Sequence, residues 1–364
     1  MASSEEQEII QSTVREFAEN ELRPLASKID SDALIPADLF QKLTSMGVFG
    51  ILCSEQYGGA GAPFETIIKV VSELGQASAS VALTCLNHNL ACSMLDEFGS
   101  GDQKKLLLGL ASGKIGAIAV SEGLSFDSKM SLALGNDGYV INGTKQYVVN
   151  GSFADVCITM CDSDGGTEFL ILEETEGFVK GKSIGLLGVR ASGITHIHFH
   201  NAKISKNRAL GTKEDAPAIL QLLQEGVWLG MASIALGIAR ASLSAAVKYA
   251  NQRIQFGKPI AKFEAIQEMI SIITNGIQST SSLLDRISKI KDQGNNVWSE
   301  AAAAKVAATT MATKSAKLAL KIHGGYGFIR DYSVERFVRD AKAIEILGGR
   351  NSDLQMETAR KVLS

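Results

Sequence analysis

The feature that most limits what this chain can become is a change of hydrophobic period, made twice along its length. From Ser4 to about Gly113 apolar residues recur at helical spacing, as in Val14, Phe17, Ala18 and Leu22, and again in Leu39, Leu43 and Met46. From about Ile115 to Gly211 the runs become short and strand-like: Ala117 to Val120, Tyr139 to Asn142, Gln146 to Val149, Val156 to Met160, Phe169 to Leu172 and Ile194 to Phe199. Asp137-Gly138 and Asn142-Gly143 supply hairpin-turn signals between them. From about Ala216 the helical period returns in long segments, Ile219 to Gln252, Ala261 to Asp292 and Trp298 to Ile322, which predict an antiparallel bundle. The expected architecture is therefore α+β and multi-domain: an N-terminal helical domain (1–113), a middle β domain (114–215) and a C-terminal four-helix bundle (216–364).

This order excludes a doubly wound sheet, and no GxGxxG follows a strand and opens a helix. A chain of 364 residues with 36 basic and 39 acidic side chains has no charge excess to recruit nucleic acid or a membrane surface, so a small-molecule substrate is expected. Leu229 to Val247 is the longest apolar run, but it is rich in Ala, Gly and Ser and carries Arg240, which predicts a tightly packed core helix. The five cysteines lack CxxC spacing and read as reduced core thiols. Together with an acidic segment from Met1 to Gln11, they set the expectation of a cytoplasmic protein.

Two motifs fail on inspection. Gly109-Leu110-Ala111-Ser112-Gly113-Lys114 is too short for a phosphate loop and lacks the hydroxyl residue, so it predicts a helix end. His196, His198 and His200 alternate on one face of a strand, but no carboxylate or thiol pattern completes a metal site, and none is expected.

Two others carry chemistry. Arg253-Ile254-Gln255-Phe256-Gly257 closes a long helix with a guanidinium, an amide and an aromatic ring, groups suited to a pyrophosphate and a flat cofactor. His323-Gly324-Gly325-Tyr326-Gly327 closes another, and its doubled glycine admits close backbone approach to a phosphate or ring.

With Tyr57-Gly58-Gly59, Ala119-Val120-Ser121-Glu122, the stretch from Asn142-Gly143-Thr144-Lys145-Gln146 to Gly151, and Arg339-Asp340-Ala341-Lys342, these motifs resemble the acyl-CoA dehydrogenase family over nearly the whole chain. The resemblance implies FAD held between the middle and C-terminal domains of a homotetramer, an acyl-CoA or other acyl thioester as substrate, and an electron-transfer flavoprotein as a candidate acceptor. It implies that Val120, Ser121, Tyr147 and Val149 flank the isoalloxazine. Arg253, Gln255 and Phe256 meet the pyrophosphate and adenosine, Lys321, Gly324 and Gly325 approach from an adjacent subunit, and Arg350 and Ser352 lie near the cofactor. Ser125, Glu225, Val227, Trp228 and Gly349 fall along the thioester and pantetheine path.

The family removes an α-proton with a glutamate, a carboxylate whose basicity is raised by burial. Eight residues after the Asp of Arg-Asp-Ala-Lys, where most members carry it, stands Gly348, and at the alternative position on the first long bundle helix stands Val227. Glu225 is displaced from Val227 by about 200° around a helix, and Glu345 precedes Gly348 by nearly a turn, so both are indirect substitutes. The catalytic residue is therefore not assigned. The primary expectation is FAD-dependent α,β-dehydrogenation of an acyl thioester. The alternatives are a non-catalytic partner subunit of a heteromeric enzyme and a flavin monooxygenase on the same fold.

Overall fold

A computed structural model describes residues 4–120, 130–134, 138–163, 166–173 and 178–363. The first part is helical: α1 (Ser4–Phe17), α2 (Arg23–Asp32), α3 (Ala37–Ser45), α4 (Phe64–Ala77), α5 (Ala79–Phe98), α6 (Gly101–Lys104) and α7 (Leu106–Ala111). Seven strands follow, β1 (Gly116–Ala119), β2 (Ser131–Leu134), β3 (Gly138–Val148), β4 (Val156–Ser163), β5 (Gly166–Glu173), β6 (Phe178–Lys180) and β7 (Thr195–Ser205). The remainder comprises α8 (Ala216–Gln252), the short pair β8 (Ile254–Gln255) and β9 (Lys258–Pro259), α9 (Glu264–Asp292), α10 (Trp298–His323), α11 (Val334–Ile346) and α12 (Asn351–Leu363). The strands form one sheet in the order β1-β4-β2-β3-β7-β6, with β5 paired to β4.

One expectation fails here. Asn142-Gly143 is not a hairpin turn: the chain runs straight through it as the eleven-residue β3. The pairing of β3 with β7 shifts register between Ile141 and Gly143 and again between Lys145 and Val148. Gly143, at φ +142°, absorbs the first irregularity, so the glycine that reads as a turn is a bulge residue. The second falls at Tyr147, whose φ of +53° turns its ring out of the strand's alternation and leaves it exposed.

Helix α8 is the spine. It is long and apolar enough to cross a membrane, yet its apolar stretch is buried against other helices of this chain. A Cβ on Gly226 would collide with Leu90, and one on Gly230 with Leu86, so glycine lets these leucine side chains of α5 pack directly on the α8 backbone. Gly75 of α4 meets Ile234 in the same way, with Ile234 O 3.1 Å from where its Cβ would stand.

Buried polar groups join the helical part to the strands. His88 Nδ1 accepts the Gly116 N–H at 3.0 Å, and its Nε2 lies 3.4 Å from Cys92 Sγ. Arg339 bonds Asp30 at 2.7 Å and the Leu187 carbonyl at 2.8 Å, while Asp340 accepts the Val189 N–H at 2.7 Å. The Arg-Asp-Ala-Lys motif is thus a joint between α2, α11 and the loop before β7. Burial raises the Asp340 carboxyl to about 6 and lowers the His88 imidazolium to about 4.

The His88 shift makes stability depend on pH. An imidazole held neutral in the fold, but free to protonate at about 6.5 when unfolded, contributes fully above 6.5 and loses its contribution as pH falls to about 4. At 1.36 kcal/mol per unit the loss is about 3 kcal/mol. Asp340, with a raised folded value, acts in the opposite sense, so the His88 part is read from the difference between wild type and His88→Gln. Denaturant unfolding from about pH 7 to about pH 4 is expected to show a steeper decline in wild type than in the variant. Parallel profiles would contradict the assignment.

Candidate active site

The turn between α11 and α12 is Leu347, Gly348, Gly349 and Arg350. Gly348 has φ +70° and Gly349 φ +105°, both in the left-handed range. The Trp228 indole N–H donates to the Gly348 carbonyl at 2.8 Å, fixing the turn against α8. A Cβ on Gly348 would stand 2.6 Å from Val227 Cγ1 and 3.7 Å from Met231 Cγ. The two positions at which the family places its glutamate therefore face one another across a single spot. Here that spot is walled by Val227 and Met231, both buried.

Neither nearby carboxylate reaches it. Glu225, 2% exposed, accepts from Lys291 Nζ at 2.6 Å, Gln221 Nε2 at 2.9 Å and the Val297 N–H at 3.1 Å. With Lys291 and Asn296 it lines a cavity of about 680 Å³, and its carboxylate forms a buried ion pair joining α8 to α9. Glu345 accepts from Thr313 Oγ1 at 2.7 Å and Lys342 Nζ at 2.8 Å. Partial burial works to raise its carboxyl, but those hydrogen bonds outweigh it and hold the group below its ordinary value, the wrong direction for a general base.

Trp228 is almost wholly buried and meets Trp298 edge-on at 5.0 Å, so its ring is held in the core while its N–H anchors the turn. The Gly349 carbonyl accepts from Lys305 Nζ at 2.5 Å. Sequence reasoning passed over Lys305. Its signal was present: a lone cation on the alanine stripe Ala301, Ala304, Ala308 and Ala312 of α10, one turn after Ala301.

On the strand side, Val120 and Val149 are buried at the edge of the helical core, and the Val120 carbonyl accepts from the buried Lys145 at 3.3 Å. Tyr147 presents its edge to His196 at 5.5 Å. Ser121 and Ser125 lie outside the described residues.

The two cofactor motifs come together. Arg253 and Gln255, from the end of α8, line one cleft of about 460 Å³ with Gly324, Gly325, Tyr249, His323 and Tyr326. The Arg253 guanidinium lies 5.5 Å from the Tyr326 ring, and Tyr249 stacks on His323 at 4.3 Å. Gly324, at φ +57° and ψ −133°, occupies a region that only glycine visits freely, and a Cβ on Gly325 would meet nothing within 4 Å. An exposed guanidinium beside stacked rings and an open glycine floor fits the pyrophosphate and adenosine of FAD. Within one chain the two motifs line this cleft together. Phe256 is 92% exposed and packs edge-on to Phe263, and Lys321 is exposed on the last turn of α10, so neither lines the cleft. Arg350 is bonded to Asp353 at 2.7 Å and Ser352 to the same carboxylate at 3.4 Å.

Comparison with known proteins identifies the family. The family profile "Acyl-CoA dehydrogenase, N-terminal domain" matches residues 4–114, and "Acyl-CoA dehydrogenase, C-terminal domain" matches residues 227–363. An acyl-CoA dehydrogenase of Bacillus subtilis is 35% identical over 96% of each chain, and a short-chain specific acyl-CoA dehydrogenase of Clostridium acetobutylicum is 34% identical over 98% of each. The structure of butyryl-CoA dehydrogenase from Megasphaera elsdenii superposes with a TM-score of 0.94 at 30% identity, covering 100% of both chains. The chain belongs to the acyl-CoA dehydrogenase family, FAD-dependent oxidoreductases of acyl thioesters.

Removing the Arg253 guanidinium takes away one charge-assisted partner of the pyrophosphate, a loss of roughly 2–3 kcal/mol. Arg253→Ala is therefore expected to weaken FAD binding by that amount in a fluorescence-quenching titration. An unchanged dissociation constant would remove Arg253 from the site.

Proposed function

We propose that this chain oxidises an acyl-CoA thioester across its α,β-carbons, with no carboxylate at position 348 or 227 to take the α-proton. The observation that carries the proposal is the meeting of Gly348 with Val227 inside an otherwise family-like frame. FAD, when bound, supplies the hydride acceptor. The chain's own residues do the rest: Arg253, Gln255, Gly324 and Gly325 hold the pyrophosphate and adenosine end, and Val120, Tyr147 and Val149 wall the ring. Trp228, Val227 and Gly349 bound the thioester. Val227 and Met231 offer no proton acceptor at this spot, so the α-proton passes to a solvent water, a weaker base than a positioned glutamate, and its removal becomes the slow step.

A second reading is favoured by the same apolar spot: the chain serves as the non-catalytic partner of a base-bearing homologue. Ile254, Phe256 and Phe328 are exposed at 60%, 92% and 81% beside the cofactor motifs, an apolar rim suited to a second subunit. The assembly is a homotetramer or a heteromer with a homologue, and an electron-transfer flavoprotein is the electron acceptor we infer.

Anaerobic addition of acyl-CoA thioesters to FAD-loaded protein tests the activity, with loss of flavin absorbance as the expected result. The position of the turn decides how a base is best restored. Gly348→Glu alone is expected to gain little, because a side chain at φ +70° is strained and its Cβ meets Val227 Cγ1. Val227→Glu starts from ordinary helical backbone and points at the same spot. It is expected to speed bleaching by about 10²- to 10⁴-fold. No gain in a folded, FAD-loaded Val227→Glu protein would mean that the pocket does not receive a thioester, and the partner-subunit reading would replace the first.

A further inference from the structure

We propose that Lys305 is a positioning residue for the thioester pocket, its ammonium holding the Gly348-Gly349 turn in register with α8. This rests on reading that turn as the pocket floor, and adds to it the device that keeps the floor in place. Lys305 rises from the middle of α10 with no exposed surface. Its three hydrogens go to three acceptors: the Glu345 carbonyl at 2.7 Å, the Gly349 carbonyl at 2.5 Å and Asn351 Oδ1 at 3.0 Å. Those acceptors belong in turn to the last turn of α11, the glycine pair and the first residue of α12. One cation therefore satisfies a helix C-terminus and ties both helices to the link between them. With all three donors engaged the group is held as an ammonium, which has no lone pair to accept a proton, so Lys305 is not itself a substitute base.

The turn needs such an anchor because two successive glycines at positive φ have many alternative conformations. It is gripped from two sides, by Lys305 of α10 through Gly349 and by Trp228 of α8 through Gly348. The rest of α11 is fastened separately through Arg339 and Asp340, and the cleft of Arg253 and Gly324 lies at the C-terminal ends of α8 and α10, about 27 Å along α10 from Lys305. Loss of the Lys305 charge should therefore act on the turn and leave the cofactor cleft alone.

Two carboxylates act on the ammonium, Glu345 from α11 and Asp353 from α12, the latter already paired with Arg350; Lys342 of α11 also sits on Glu345. Burial outweighs their support and brings the group down to about 8. The grip on the turn is thus expected to loosen as pH rises through that value.

The test uses the FAD-loaded full chain carrying Trp298→Phe, so that Trp228 is the remaining tryptophan. Its emission is followed from about pH 7 to about pH 9, a unit either side of the expected midpoint. Binding of a non-reacting acyl-CoA thioether and of FAD is measured in parallel. The expected result is a transition in Trp228 emission near pH 8, as the indole loses its Gly348 partner, with thioether affinity falling roughly tenfold and FAD affinity constant. Lys305→Met should show the high-pH emission and the weak thioether binding at every pH. A Lys305→Met protein with wild-type emission and affinity would overturn the proposal, as would parallel loss of FAD. If that variant fails to fold, the titration of the parent decides, and a flat emission profile overturns the proposal. The emission readout needs no thioester, so a transition without thioether binding would count against the pocket reading and leave the positioning role standing.

Discussion

The closeness of α8 to α4 and α5 sets almost everything else in this molecule. Gly226 and Gly230 remove the side chains that would hold α5 away, and Leu86 and Leu90 fill the space they leave. That contact fixes the rotation of α8 about its axis. Once it is fixed, Val227 and Trp228 must face the turn after α11, and Glu225 must face α9. A larger residue at Gly226 would not only open a gap in the core but also rotate the wall of the active site.

The buried charges follow the same logic. Taking a cation or carboxylate out of water is costly unless partners replace the solvent, and each one near this frame has them. Glu225 has three donors, Lys305 has three acceptors, and Asp340 has a backbone N–H. These groups hold helices in register. Glu345 shows the consequence: hydrogen bonds from Thr313 and Lys342 hold its carboxyl below its ordinary value, which makes it a poor proton acceptor. The chemistry is left to a pocket whose decisive position is apolar.

Much of this was legible in the sequence because period and composition report it directly. The two changes of hydrophobic period gave the order of helices and strands, and the doubled glycine after Ile322 marked the end of α10. The positions facing each other at 348 and 227 were recognised from motif spacing, but their contact was not, since it depends on the tertiary rotation of α8. Asn142-Gly143 misled because the same dipeptide suits a hairpin and a bulge, and only pairing with β7 distinguishes them. The ion pair of Glu225 was not legible because spacing along one helix cannot reveal that Lys291, 66 residues away, packs beside it. Lys305 was missed because a single lysine among alanines is usually a solvated residue, and burial is invisible until α11 and α12 are laid across it.

The central claim is that, among the described residues, no carboxylate stands where positions 348 and 227 meet, so removal of the α-proton limits the reaction. The most direct measurement is the rate of anaerobic flavin bleaching by an ordinary acyl-CoA thioester and by the same thioester deuterated at the α-carbon. The account predicts that α-deuteration clearly slows the wild-type protein and has a smaller effect once a carboxylate stands at position 227. Equal wild-type rates for the two thioesters would contradict it, because proton removal would then not be the weak step.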